Sequence, residues 1–582
     1  MDHDKAVRLM LLQQGGRSLE AHTCEFLELM SFTTFLDRMV PWNLRSRPAR
    51  SQAEPEGEAR SQVEPDGEAR TQAKPEGEAR MTTQQGRHSS ILSGVVARSD
   101  ILSRAVARSD EKQRFLTDVL HEVMLLDGLV SSHPISQEVF EAADIDRVFD
   151  WIAYKKGAAL IRMLANVMGQ AVFQKGINDY LMTHMYGNAA RDDLWNKFSE
   201  AMQSEGKDIN IKQVMDVWTL QMGYPVVTIS KNERLANLVT INQEHFIYDM
   251  EAKSRSPDIF NNSVGYIDER TWLLGNINQT GYFRVNYDLY NWRLIIQQLM
   301  INPALIPVGN RAGLIDDVFN LARAGYLPQN IPLQIICYLS EEDEFLPWHA
   351  ASRALYQLDK LLDRTKDYSI FSSYVLRQVE LKYHRLDWPS VNADGSFLQA
   401  SYQNEIPPNI RDVVYCTGVS LMDEDVWEFI WMKFHSSMAI SEKKVLLEAL
   451  TCSDSTYLLN RLLNLSLSSD LLPDQDVIDI IIHVGRNPQG RRLAWRFFRE
   501  KWDILNSRYG EALFMNSKLI SGVTEFLNTD SELSELKDFI QMSNEGAVSA
   551  FTRALEIVKA NVKWHNLYKE QFFHWLRKSL NN

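Results

Sequence analysis

No stretch of this 582-residue sequence runs to about 18 consecutive apolar residues, so no helix in it should span a bilayer. The opening, Met1 to Gly15, holds only the short apolar run Val7 to Leu12, which Arg8 interrupts and no small-residue cleavage site follows. It reads as a poor secretory signal. Cysteine is scarce, with four in the whole chain, which excludes a disulfide scaffold, and their spacing has no zinc-ribbon pairs. Positive charge is in deficit: 62 Lys and Arg against 76 Asp and Glu leave a net charge of -14. A nucleic-acid partner needs a clustered positive surface, so this balance argues against one and fits solubility instead. Paired histidines are absent as well. None of the thirteen histidines has another four residues away, so no helical turn can present two imidazoles to one metal ion.

What is present begins with repeats. Residues 51–80 are three near-copies of one decapeptide, SQAEPEGEAR, SQVEPDGEAR and TQAKPEGEAR. Each copy carries one Pro, one Gly and almost nothing apolar, and cannot bury enough surface to offset its ordering entropy. A second tandem, ILSGVVARSD and ILSRAVARSD, fills 91–110. Residues 1–110 therefore read as a disordered, repeat-containing extension, with a binding tail as the competing reading.

From Glu111 the texture becomes that of a folded protein, and 45% hydrophobic residues allow a core of normal size. Helical periodicity predicts helices over Phe115–Leu126, Val148–Met168, Val172–Met182, Asp192–Met202 and Ile211–Met222, the last closed by Gly223 before Pro225. Runs rich in β-branched and aromatic residues then predict strands at Val226–Ile229, Leu238–Ile241, Trp272–Leu274 and Tyr282–Tyr287. After Trp292 amphipathic helices follow one another with no interleaved strand, including Arg311–Ala324, Trp348–Leu362, Asp425–Phe434, Ser455–Leu467 and Gly490–Trp502. Such an array points to a superhelix of helix pairs.

Five segments resemble the aminopeptidase N family of zinc exopeptidases, in that family's order. They are Trp151–Ala158 (WIAYKKGA), Trp218–Val226 (WTLQMGYPV), Gly281–Asp288 (GYFRVNYD), Asn310–Asp317 (NRAGLIDD) and Phe345–Trp348 (FLPW). The resemblance implies a mainly α fold with a small β-sandwich. Residues 111–223 would be the helical half of a thermolysin-like catalytic domain, 224–290 a truncated sandwich, and 291–582 a C-terminal α-superhelix. The sandwich would be short of strands, because only Val264–Arg270 separates Asn261–Ser263 from the strand at Trp272; such loss exposes strand edges. The superhelix would be shortened at Gln403–Pro407.

Metallopeptidase chemistry needs two histidines one turn apart, a neighbouring glutamate as general base and a further glutamate ligand. The family adds a Gly-x-Met-Glu-Asn strand that grips the substrate N-terminus. Neither motif occurs here. His121-Glu122-Val123-Met124-Leu125 supplies half of the zinc motif with leucine at the second ligand, and reads as a helix-surface pair. Tyr154 falls on the family's oxyanion donor; without zinc and base it would be a vestige, a buried or half-buried helix aromatic. Zinc is thus the family's cofactor and none is expected in this chain. The expectation is a catalytically inactive homologue. The alternatives are a zinc aminopeptidase acting on short peptides with its site supplied elsewhere, and a homodimer or heterodimer partner of a full-length ectoenzyme of the family.

The resemblance also implies a disulfide between Cys416 and Cys452, with Cys24 and Cys337 unmatched. Asn261, Asn278 and Asn464 lie in Asn-x-Ser/Thr sequons, usable only on secretion. These marks fit a cell-surface or extracellular protein, whereas the chain as written, with no evident signal, would stay cytoplasmic.

Overall fold

The computed structural model describes residues 114–138, 150–232, 238–249, 262–266, 271–385, 406, 410–467, 472–509, 515–543 and 548–580. The extension 1–110, Cys24, Asn261 and most of the join at 403–407 lie outside them. All the described residues fall within one compact unit.

The first elements are two helices that each begin in a π-helical turn. Leu116–His121 runs into α1 (Glu122–Asp127), and Ile152–Lys156 runs into α2 (Gly157–Met168). Both are sealed by apolar spacing: Leu120, Val123 and Met124 on one, Ile152, Leu160, Met163 and Leu164 on the other, are buried. Gly169, at φ 84, turns the chain into α3 (Gln170–Thr183), a conformation costly for any residue with a Cβ. Then come α4 (Arg191–Ser204) and α5 (Ile211–Leu220), where the Asn210 side chain accepts from the Gln213 amide as an N-cap. The expected stop at Gly223 is there, at φ 76, but α5 ends at Leu220, ahead of it.

Strands β1 (Pro225–Asn232), β2 (Leu238–His245), β3 (Asn262–Tyr266) and β4 (Arg284–Tyr287) form one sheet in the order β3-β2-β1-β4. β1 pairs antiparallel with β2, Ile229 facing Ile241, and parallel with β4, Val227 facing Val285. The truncated sandwich of the expectation is thus a single mixed sheet among the described residues. Trp272–Leu274 is not a strand. The Asn291 side chain takes both the Leu273 amide (2.8 Å) and its carbonyl (2.9 Å), so this backbone is paired with a side chain instead of a ladder.

The described elements that follow are helical. α6 (Leu289–Ile301) starts on the cap Asp288, and α7 (Val308–Arg323) packs against β4 and lies almost wholly buried. α8 (Asn330–Ile335), α9 (Phe345–Leu362) and α10 (Tyr368–Arg385) follow. Beyond them come α11 (Arg411–Leu421), α12 (Glu424–Ser436), α13 (Ile440–Leu450), α14 (Thr456–Ser466) and α15 (Asp474–Arg486). The expected helix Gly490–Trp502 is α16 (Arg491–Glu500), and a separate α17 (Trp502–Tyr509) begins after Lys501. α18 (Met515–Thr524) and α19 (Asp530–Met542) precede α20 (Val548–Leu580), a 33-residue helix that closes the expected helical array.

One continuous apolar core, with Trp427, Leu450, Leu462, Ile481, Phe498, Ile520 and Val558 fully buried, joins α11 to α20. Burial at about 25 cal/mol per Å2 of apolar surface makes this core the main stabiliser of the superhelix. The disulfide Cys416–Cys452, with its Cα atoms 5.3 Å apart, ties α11 to the turn after α13. Cys337 is a free thiol whose sulfur lies 3.3 Å from the Tyr374 hydroxyl. Among the described residues no helix is long and apolar enough to cross a membrane.

Candidate functional site

Tyr154 sits in the π-helical turn Ile152–Lys156, and π turns of this kind recur at functional sites. Asp150 starts the turn: its Oδ1 accepts the amides of Ile152 (2.8 Å) and Ala153 (3.2 Å), and its carbonyl accepts from the Tyr154 amide (3.1 Å). The Tyr154 side chain is 42% exposed and Trp151, one turn earlier, 49%. The expectation of a buried or half-buried aromatic is therefore corrected: the wider helix turn directs Ile152 and Lys156 inward and leaves Tyr154 on the outer face. Lys155 covers Trp151, its Nζ 3.9 Å from the ring centroid, and also pairs with Glu122.

Directly beneath lies a buried polar network that sequence reasoning missed. The Lys156 ammonium is 2.8 Å from Asp127 Oδ2, and both side chains are fully enclosed. Lys156 also donates to the Gly223 carbonyl (3.0 Å). Asp127 accepts further from the Tyr282 hydroxyl (3.0 Å), the Gly223 amide (3.0 Å) and the Ser132 hydroxyl (2.6 Å). Burial lowers the Lys156 pKa, and the Asp127 carboxylate works against that shift. Tyr224 stacks on Phe246 and donates to the Met124 carbonyl (2.7 Å). Arg284 reaches the Tyr224 hydroxyl (3.2 Å), Asp316 (2.7 Å) and Asp317 (3.0 Å), its charge held over the Phe246 ring at 5.3 Å. The network thus joins α1, the Tyr154 turn, β1, β4 and α7. A signal was available: Lys156 and Arg284 are charged residues set among apolar neighbours at core-facing positions.

His121 is not on the surface, which corrects the expectation of an exposed His-Glu pair. It is 2% exposed, and neither ring nitrogen has a hydrogen-bond partner. The π turn Leu116–His121 rotates it inward, while Glu122 stays half-buried and pairs with Lys155. Burial pushes the His121 pKa down to about 4, and Arg353, Arg284 and His349 add to this against the opposing Asp316. An imidazole among two guanidinium groups is a poor seat for a cation. Among the described residues no group of three or more His, Cys, Asp or Glu side chains is placed to hold a metal ion. The described residues around His121 do not fit zinc.

A pH dependence follows. The folded state binds the His121 proton only near pH 4, the unfolded chain near 6.5. Its contribution to stability is therefore full above pH 6.5 and is lost as pH falls toward 4, by about 3 kcal/mol at most. Replacing His121→Phe removes this proton uptake. The wild-type melting temperature, measured relative to the variant's, should fall steadily between pH 7 and 4.5; parallel curves would contradict the assignment.

Of the sequons, Asn278 is half-buried in a tight turn, where its amide donates to Asn310 (2.7 Å) and its carbonyl accepts from Arg162 (3.0 Å). Asn464 is exposed on α14, two residues before the buried Ser466.

Comparison with known proteins sets this geometry in context. A family model described as the peptidase family M1 domain matches residues 95–218, and one described as the ERAP1-like C-terminal domain matches 272–403 and 393–563. The chain is 60% identical over 539 aligned residues to the human (Homo sapiens) thyrotropin-releasing hormone-degrading ectoenzyme, covering 81% of this chain and 50% of that protein. The Rattus norvegicus counterpart is 59% identical over 81% of this chain and 51% of its own length. Aminopeptidase N of Homo sapiens is 33% identical over 80% of this chain and 55% of its own length. The chain spans about half the length of the curated relatives it matches. The 539 aligned positions exceed 81% of the 582 residues, so the match passes over stretches of the relative with no counterpart here.

Proposed function

Because this chain belongs to peptidase family M1 and carries that family's ERAP1-like C-terminal domain, we propose that these 582 residues do not hydrolyse peptides by themselves. They keep the helical flank of an M1 site, with Tyr154 as a vestigial oxyanion donor, and the superhelix behind it. One observation carries this reading: no two of the thirteen histidines stand one helical turn apart, so the paired ligands of a peptidase zinc have no source in the sequence. The enclosure of His121 beside Arg284 and Arg353 supports it, since the one half-motif cannot present an imidazole to a metal and substrate.

The domain reading that goes with it places the M1 helices at 111–223, the sheet at 224–290 and the superhelix at 291–582. The relatives' names suggest a cell-surface setting and thyrotropin-releasing hormone as the peptide to test. A second reading is favoured by the exposed faces of Trp151, Tyr154, Val214, Val217 and Leu220. On that reading further M1 sequence, from a full-length ectoenzyme, covers this surface, and the chain works as a subunit of a zinc aminopeptidase.

The test is zinc content and hormone cleavage on the purified, folded chain. The expected result is zinc below ~0.1 per chain and no cleavage. About one zinc per chain, with cleavage that a chelator abolishes, would overturn the proposal. Cleavage that exceeds the longer relative's own only after mixing the two would favour the second reading.

A further inference from the structure

The closing helix α20 reaches back across the molecule to the segment that leads into Tyr154. The Glu556 carboxylate accepts two consecutive amides, Val130 at 2.5 Å and Ser131 at 2.9 Å. One turn earlier on α20, the Arg553 guanidinium lies 3.6 Å from Asp150 Oδ2. The same oxygen receives His133 Nε2 at 3.0 Å, while Oδ1 caps the Tyr154 turn. Asp150 is therefore shared: one oxygen starts the helix, the other is held by a loop histidine and by α20. Side-chain exposures of 18% for Asp150, 20% for His133 and 23% for Arg553 place the cluster partly out of solvent, where charge-assisted bonds outlast screening.

We propose that α20 is a latch on the Tyr154 helix, with Glu556 and Arg553 as positioning residues. Glu556 clamps the loop at 130–131, Arg553 fixes the carboxylate that caps the turn, and Tyr154 stays ordered only while both hold. Residues more than 400 positions apart in sequence thereby act as one element. A pair of adjacent amides aimed at one carboxylate has no other backbone acceptor nearby in the pairing of this loop, whose own turn bonds are Leu129 N to Leu126 O and Ser132 N to Leu129 O. Removing Glu556 strands two donors, and the loop opens to let water satisfy them. The latch goes beyond the functional reading and does not require it: it concerns order at Tyr154, whether or not the chain hydrolyses anything.

Hydrogen–deuterium exchange read by mass spectrometry on the full 582-residue chain tests it. In Glu556→Ala and Arg553→Ala, peptides covering 128–138 and 150–158 should exchange about tenfold faster, while those of β1 and β2 keep their wild-type rates. Glu556→Gln keeps one acceptor oxygen and should recover part of the protection; it also serves if the alanine chain does not fold. Lys563→Ala is the control, because it alters the same helix where it approaches Asp249 (3.4 Å) and should leave 150–158 unchanged. Wild-type exchange at 150–158 in both alanine variants would overturn the latch. So would uniform acceleration across the molecule, or an equal effect of Lys563→Ala.

Discussion

Arg284→Met should cost about 3–5 kcal/mol of folding stability, the range for a buried ion pair left with one partner. Arg284 is fully buried and neutralises two carboxylates at once, Asp316 at 2.7 Å and Asp317 at 3.0 Å. Methionine fills much of the volume but leaves two acids side by side, Asp317 buried and Asp316 mostly so. Burial and the neighbouring Asp316 already push Asp317 up to about 7, even with the guanidinium in place. Without it the pair can persist only by taking up protons or admitting water. Asp317 also holds the Val285 amide (3.0 Å), so β4 loses an anchor to α7. The readout is the thermal midpoint of the purified chain near pH 7.5, with the same variant at pH 5.5 as the internal check. Protonation relieves the stranded acids, so the deficit relative to wild type should shrink at the lower pH. Adding Asp316→Asn and Asp317→Asn to Arg284→Met should recover part of the loss, because no charge then remains. A deficit under about 1 kcal/mol would mean that the site is hydrated and the pairing worth only what a surface bridge is.

Lys156→Met should be comparably severe, again about 3–5 kcal/mol. It leaves the Asp127 carboxyl without its charged partner in a site with no exposure, and strands the Gly223 carbonyl besides. The surviving partners, the Tyr282 and Ser132 hydroxyls and the Gly223 amide, are hydrogen-bond donors without charge. Three elements meet at this point, α1, the Tyr154 turn and the entry to β1, so the damage should spread to the turn above. Asp127→Asn combined with Lys156→Met is the discriminating variant. It retains an acceptor for Tyr282 and carries no charge, and its melting temperature should exceed that of Lys156→Met alone. If the double variant is the worse of the two, the lysine acts through packing of its stem and not through the ion pair.

The superhelix was the most legible part of the fold. Apolar residues recurring every third or fourth position marked Trp348–Leu362 and Asp425–Phe434, and α9 and α12 cover both spans with ends a residue or a few beyond. Boundaries were less legible where the backbone breaks without Gly or Pro. Nothing local distinguishes Lys501 from its neighbours, yet α16 stops there, at φ -108 and ψ 11, and α17 begins at the buried Trp502. Trp272–Leu274 misled for a related reason: its β-favouring residues are satisfied by one asparagine side chain, Asn291, which periodicity does not see. The closing helix α20 lies in the stretch expected to be helical, but its length and its reach to the segment before the Tyr154 turn come only from the fold.

The sequence by itself determined which chemistry has a source in these residues. Metal ligation depends on residue type and spacing, and the absence of any histidine pair one turn apart is complete in the one-dimensional record. It also determined the order of helices, sheet and superhelix, because amphipathic period is a local property. Tertiary structure alone decided where individual side chains of the site went. His121 is enclosed and Tyr154 exposed because two π turns rotate them, and those turns are held by packing from distant elements. Lys156 and Asp127, 29 positions apart in sequence, become a sealed pair for the same reason, since burying either charge is tolerable only where the other arrives.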